Sequence, residues 1–448
     1  MKTRRSKERF VSAHLGWPLL IGMLAACSDS TNPAFDGDSG SGGSSPDAGA
    51  DAPLFVFDSG GVDSSLGADS GSGDDGSAAG TDAAYAFDGF AKPDGSSYCF
   101  DSDGDGFTTC AGDCNDHDSL VNPCAFDSDG TTGDSVGTDG IDNDCDGVID
   151  NRRICDGSLV SGHGAVASDY ATAADICDNA KCTVVTKAAW YGPVSSLSKR
   201  ITKHMGNGFS PHAGSFMAFM STGISDDLTD TPGYRPGDGT DLLNTFVHPS
   251  PLTAVQNKNP CGQGQNEANV SIHDYSELRL TLTAPINAGS FTFDFNFFST
   301  EYPAYACRGY NDTFLVMLTS KKYQAPTQIA FDPGGGRINV NNSFFSACND
   351  VVLSDKLGYT HTCQQPLSTI AGTGYDIKYG TTSLTVGNLN KGSGATNWLK
   401  TSAPIEPGET FTLSFIVFDE GDGILDSAVN IDNFRWGSAS IGSPVTGR

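Results

Sequence analysis

Three stretches of the chain alternate apolar and polar positions with a period of two. Leu278, Leu280 and Leu282 interleave with Arg279, Thr281 and Thr283, and Phe291, Phe293, Phe295 and Phe297 interleave with Thr292, Asp294, Asn296 and Phe298. Phe411, Leu413, Phe415 and Val417 repeat the pattern. Successive side chains of a strand point to opposite faces, so each stretch predicts a strand with one face on a core. Helical periodicity is confined to about 166–180 and 194–205. Separated strands with Gly, Pro and Asn between them predict a mainly β fold, an antiparallel β-sandwich of jelly-roll type, across residues 157–440.

The alternation is missing N-terminal to this region. Residues 27–97 are Gly, Ser, Ala and Asp with 13 Asp and one Lys. Such a segment cannot bury enough apolar surface to offset its ordering entropy and is expected to be a disordered acidic linker. Residues 98–156 form a Cys/Asp/Gly module whose apolar stock is little more than Phe107, Leu120, Val121, Ile141, Val148 and Ile149. A core that small needs disulfides or a metal to hold it.

Residues 1–26 explain the expected address. Lys2, Arg4, Arg5, Lys7 and Arg9 precede an apolar run from about Leu15 to Ala26, which is shorter than the ~20 residues a spanning helix needs. The run ends in Leu24-Ala25-Ala26-Cys27, which resembles the lipobox of bacterial lipoproteins. That resemblance implies cleavage before a diacylated Cys27. Ser28 is not the aspartate that retains many lipoproteins at the inner membrane, so the outer membrane, with its lipid as partner, is the expected site.

Charge and cysteines narrow the partners. The formal net charge is −28, and residues 28–155 hold 27 Asp against three Lys/Arg. Nucleic acid is therefore excluded as an expected partner, since phosphate binding needs basic patches. Beside Cys27 there are 12 cysteines, an even set that in an exported chain predicts up to six disulfides. Cys110 and Cys114 would alone be a weak zinc signal.

The acid is arranged as ligands. Asp101, Asp103, Asp105 and Gly106 form an Asp-x-Asp-x-Asp-Gly opening, and Asp142, Asp144, Asp146 and Gly147 form another with Asp150 at the ninth position. In such a loop alternate carboxylates meet one calcium ion, glycine permits the turn, and the next carbonyl, here that of Phe107, adds a ligand. The twelfth position holds Gly112 in one loop and Arg153 in the other, so neither is a complete EF-hand. Asp113 and Asp116 are the candidates to complete the first shell, and Asp139 the second. With Gly112-Asp113-Cys114-Asn115-Asp116 and Asp139-Gly140-Ile141-Asp142-Asn143-Asp144-Cys145-Asp146-Gly147, the module resembles thrombospondin type-3 calcium repeats and, more closely, the MopE-type Asp-rich metal-binding motif of bacterial surface proteins. That family's name suggests copper, but copper prefers imidazole and sulfur and only His117 is at hand, so calcium is the expected cofactor.

Three further phrases lie in the β region: Met217 to Gly223 with its Ser-Thr-Gly ending; Phe293-Asp294-Phe295 running to Ser299-Thr300-Glu301-Tyr302 and Tyr310-Asn311-Asp312; and Asp419-Glu420-Gly421-Asp422 running through Asp426-Ser427-Ala428-Val429 to Asp432-Asn433-Phe434. Together, over about 185–437, they resemble the choice-of-anchor L domain, with Thr300 where the family has Glu. The resemblance implies a bacterial surface or secreted protein. Glu301, Asp312, Asp426 and Asp432 are candidates for a second metal site at one sandwich end, and Tyr302, Tyr305, Tyr310 and Trp436 are core aromatics or a sugar-stacking face.

Enzyme signals are weak. Gly133 to Gly137 spells G-x-S-x-G without the strand and helix of a nucleophile elbow, Gly334-Gly335-Gly336 lacks the P-loop lysine, and the histidines lack paired ligand spacing. The expectation is a non-enzymatic, lipid-anchored surface protein that binds calcium through its Asp loops and presents a β-sandwich for adhesion or for a polysaccharide or other surface ligand. The alternatives are a polysaccharide hydrolase and a copper-scavenging surface protein.

Overall fold

The computed structural model describes residues 99–130, 138–178, 181–192, 195–232, 271–302, 305–306, 310–341, 344–348, 363–376 and 393–448. The expected signal segment, Cys27, the acidic linker and the G-x-S-x-G phrase lie outside the described residues.

The elements in chain order are β1 (Gly162–His163), α1 (Ala167–Ala173), β2 (Val185–Tyr191), β3 (Lys199–Thr202), β4 (Met217–Ser221), β5 (Ile272–Thr283), β6 (Ser290–Ser299) and β7 (Thr313–Thr319). There follow β8 (Thr327–Gln328), β9 (Ile338–Asn339), β10 (Phe345–Cys348), β11 (Gln365–Pro366), β12 (Gly394–Thr396), β13 (Leu399–Pro404), β14 (Thr410–Glu420), β15 (Ser427–Gly437) and β16 (Val445–Gly447). One sheet runs β1-β3-β4-β15-β6-β12-β10-β11, with β13 also on β6 and β16 on β13; the second runs β2-β5-β14-β7-β8, with β9 on β7. Pairing is antiparallel except for β10 with β11. Among the described residues no helix is long and apolar enough to cross a membrane.

The predicted alternations meet between the sheets. Leu278, Leu280 and Leu282 of β5, Phe291 to Phe297 of β6, and Phe411, Leu413, Phe415 and Val417 of β14 belong to one buried cluster. Phe291 stacks on Phe411 with centroids 5.5 Å apart, and Phe293 meets Phe415 edge-on at 5.2 Å. Each such ring contributes about 1.5–3 kcal/mol by burial. The outer face of β6 departs from the expectation, because all ten residues of the strand are buried. Phe298 packs in a second cluster with Met205, Phe209, Leu367, Ile370 and Tyr375, so the segments around 205–209 and 367–375 cover that face.

The helix expected near 166–180 is the seven-residue α1. The one expected near 194–205 is instead a short 3-10 turn (Ser196–Ser198) leading into β3, which pairs with β4 from Lys199 opposite Met220 to Thr202 opposite Met217. Sheet pairing overrides a weak local helical preference.

Candidate metal centres

The two Asp loops fold alike. In the first, the Gly104 and Gly106 amides donate to Asp101 Oδ1 (2.7 Å) and Oδ2 (3.0 Å), and the Phe107 amide donates to Asp105 Oδ1 (2.8 Å). In the second, the Gly147 amide donates to Asp142 Oδ2 (2.9 Å) and the Val148 amide to Asp146 Oδ1 (2.9 Å). Gly106 and Gly147 take φ of +97° and +94°, a conformation open to glycine at little cost, which is why the turn ends on that residue in both loops.

Among the described residues, Cys99–Cys110 and Cys114–Cys145 tie the module together, Cys124–Cys182 and Cys155–Cys177 tie it to the β region, and Cys348–Cys363 lies within that region. Cys110 and Cys114 enter different bridges, which removes the zinc reading. Cys114–Cys145 joins the loops directly. Asn287, between β5 and β6, accepts from the Phe126 amide (3.0 Å) and donates to the Phe126 carbonyl (2.8 Å), as a partner strand would. Arg152 donates to the Asn433 side chain and to the Phe434 carbonyl (2.8 Å) and pairs with Asp175 (3.3 Å).

The electrostatics of the loops differ. In the first, Asp101, Asp103 and Asp105 bring carboxylate oxygens within 4.8 Å of one another. Asp103 and Asp105 each spend Oδ1 on a turn amide, as Asp113 does on Asn115 (2.8 Å). The Oδ2 atoms of all three are buried and have no hydrogen-bond partner. Burial, then the charges of the neighbouring aspartates, pushes Asp103 and Asp113 above the usual carboxylate range. Asp116 stands against the same group and is held by the Ser102 amide (3.2 Å) and hydroxyl (2.6 Å). Asp113 and Asp116, expected to close the first loop, thus stand beside Asp103, while the close group itself is Asp101, Asp103 and Asp105.

In the second loop Arg153 Nη2 lies 2.9 Å from Asp144 Oδ2 and 3.8 Å from Asp146 Oδ2. The group of close carboxylates here is Asp127, Asp142 and Asp144. Asp139 is not in it: its Oδ1 accepts from the Ile141 amide (2.9 Å). Asp150 likewise turns away and accepts from the Asp139 (2.9 Å) and Gly140 (3.1 Å) amides. Asp127, which no motif marks, takes the place expected of Asp139, and burial raises its pKa to about 6.

Of the four residues expected to meet in the β region, three do. Glu301 follows β6, Asp312 precedes β7 and Asp426 precedes β15, and at one end of the sandwich they join Asp274 of β5 and Asp419 of β14. All five are at most 2% exposed. Burial, reinforced by Asp312, holds Glu301 far above its ordinary range; burial also raises Asp312 to about 8 and, with Asp312, Asp274 and Asp426 beside it, lifts Asp419 far up. Asp432 belongs elsewhere. It sits six residues along β15, roughly 20 Å at ~3.3 Å per strand residue, opposite Asp294 and close to Asp175. There His212 bonds Asp294 Oδ2 through Nδ1 (2.8 Å) and Asn433 Nδ2 donates to the same oxygen (2.6 Å). Although burial opposes it, these bonds keep Asp294 below the usual carboxylate value.

The phrases singled out in the β region meet around the five carboxylates. Ser427 Oγ donates to Asp312 Oδ2 (2.6 Å), the Ser427 amide donates to Thr222 Oγ1 (2.9 Å), and Thr300 donates through its hydroxyl to the Asp426 carbonyl (3.0 Å). A Cβ on Gly223 would collide with the Asp426 carboxylate. Residues 263–434 match the family model of the choice-of-anchor L domain. The match begins later than the resemblance over 185–437 suggested and leaves the Ser-Thr-Gly phrase outside it. No curated protein and no solved structure matches the chain.

Of the four aromatics considered for a stacking face, two are packed inside. Tyr302 is buried and stacks on Phe345 at 3.7 Å, and Trp436 packs edge-on against Phe434 at 4.9 Å. Tyr305 and Tyr310 meet edge-on at 5.6 Å, with Tyr310 exposed. Asp332 Oδ1 accepts the Gly334 (2.9 Å) and Gly336 (2.8 Å) amides, so the triple glycine is an aspartate-capped turn with those donors spent.

Proposed function

We propose that the chain is a bacterial cell-surface protein, lipid-anchored through Cys27, in which a calcium-binding Asp module is fixed against a β-sandwich that presents a face for adhesion or for a polysaccharide or other surface ligand. The match to the choice-of-anchor L domain supports the surface address. The calcium reading rests on one observation: Asp101, Asp103 and Asp105 bring carboxylate oxygens within 4.8 Å of one another at the first loop, and Asp103, Asp105 and the neighbouring Asp113 each keep a buried Oδ2 without a hydrogen-bond partner. Converging oxygens without a donor need a cation, and carboxylates with a following carbonyl are the hard ligands calcium takes in sixes to eights. Copper is disfavoured, because the cysteines nearby are in disulfides. The burial of the carboxylate pair Glu301 and Asp426 supports a role other than glycoside hydrolysis, for which such a pair must reach a substrate.

The test is calorimetric titration of the chelator-treated full chain with calcium. Replacing Asp103 and Asp105 by Asn should remove one bound ion per chain and the associated rise in melting temperature. An unchanged stoichiometry in that variant would refute the reading.

A further inference from the structure

We propose that the end of the sandwich where the two sheets meet holds a divalent cation, calcium by its ligand chemistry, between Asp312 and Asp419, with Asp274, Glu301 and Asp426 around it. The site is built from both layers. Asp274, Asp312 and Asp419 come from the β5-β14-β7 sheet, and Glu301 and Asp426 come from the ends of β6 and β15 in the other.

A group of acids is not in itself a site, and the second observation is Asp419. It is fully buried, and neither of its carboxylate oxygens makes a hydrogen bond of ordinary geometry, although the side chains of Thr222 and Asp312 approach it; Glu301 Oε2 also lacks a partner. The charges that act most on Asp419 are Asp312, Asp274 and Asp426, all of its own sign. Arg337 pairs with Glu420 (2.9 Å), whose side chain leaves β14 on the opposite face from Asp419. The Ser427 hydroxyl on Asp312 supplies one proton donor and no charge. Ionised carboxylates in a dry interior demand a neutralising partner. Oxygen-only ligands without imidazole or thiolate select a hard cation, and five carboxylates each at most 2% exposed favour calcium, which takes many protein oxygens, over magnesium, which keeps several waters.

The neighbouring phrases supply what a cavity for an ion needs. Gly223 leaves the volume that the Asp426 carboxylate fills, and Thr222 and Ser427 bond across to fix the strand ends that carry Asp426 and Asp312.

The experiment counts bound calcium per chain by equilibrium dialysis of the full chain at neutral pH. Asp419→Asn is expected to lose one ion. Asp103→Asn with Asp105→Asn is expected to lose a different one, so the combined variant loses two, and the two sites fail or stand separately. An unchanged count for Asp419→Asn overturns the proposal and assigns neutralisation to shared protons. Should that variant not fold, crystals of the unmodified chain grown with manganese give a second reading. An anomalous peak ~2–2.5 Å from oxygens of Asp312 and Asp419 is expected, and its absence overturns the site.

Discussion

Arg153 occupies, in the second Asp loop, the position that Gly112 occupies in the first, and its guanidinium lies 2.9 Å from Asp144. A built-in guanidinium thus stands against the second loop's carboxylates, whereas at the matching position of the first loop Gly112 has no side chain and the ammonium of Lys181 packs over it. Arg153→Met should leave Asp144, itself 5% exposed, without its counter-charge. The expected result is a loss of about 1–3 kcal/mol without calcium, recovered on adding calcium as the second loop gains affinity. Melting curves with and without the ion check this; equal losses in both conditions would contradict it.

The Cys114–Cys145 bridge spans 31 residues, a closure worth about 3–4 kcal/mol in a chain-entropy account. Replacing both cysteines by serine should lower the denaturation midpoint by that amount and weaken calcium binding at the first loop. Binding that stays unchanged would mean that the loops are positioned by their turns alone.

Gly223→Ala should destabilise by roughly 2–3 kcal/mol, because the added methyl meets a carboxylate already locked among four others and overpacking in a closed core is not relieved cheaply. Denaturant unfolding measures it. A change below ~0.5 kcal/mol would show that Asp426 can move away freely.

Stability without metal should fall as pH rises. Asp312 has its pKa lifted from 3.8 to about 8, so the folded state holds a proton that the unfolded state has released. Its contribution is complete below pH ~4 and is lost as pH climbs through about 8. With chelator present the melting temperature should therefore drop between pH 5 and pH 8, and calcium should flatten the slope by replacing the proton. A slope of opposite sign in chelator would contradict the assignment.

Much of this was visible in the residues before folding. β5, β6 and β14 followed from alternation, and the Asp loops followed because the amide-to-carboxylate bonds that turn each Asp-x-Asp-x-Asp-Gly opening span five residues or fewer. Asp274 and Asp419 had no such signal. They meet because β14 runs antiparallel to β5, with Asp419 opposite His273 across a register shift, a relation set by sheet pairing between segments about 145 residues apart. Asp432 misled for the converse reason: it stands in one phrase with Asp426, yet an extended strand carries six residues far from each other. Leu197, read as part of a helix, is exposed at the entrance to β3.

The disulfides also fix how the module would answer a pull. From Cys99 to Cys182 the chain counts 83 residues, but the shortest covalent route crosses two bridges and only the 14 residues from Cys110 to Cys124. At ~3.3–3.6 Å per extended residue, tension applied at Cys99 would draw out about 50 Å of slack rather than nearly 300 Å. A load on that end is therefore handed to the sandwich almost at once, and the module behaves as a short stiff coupling.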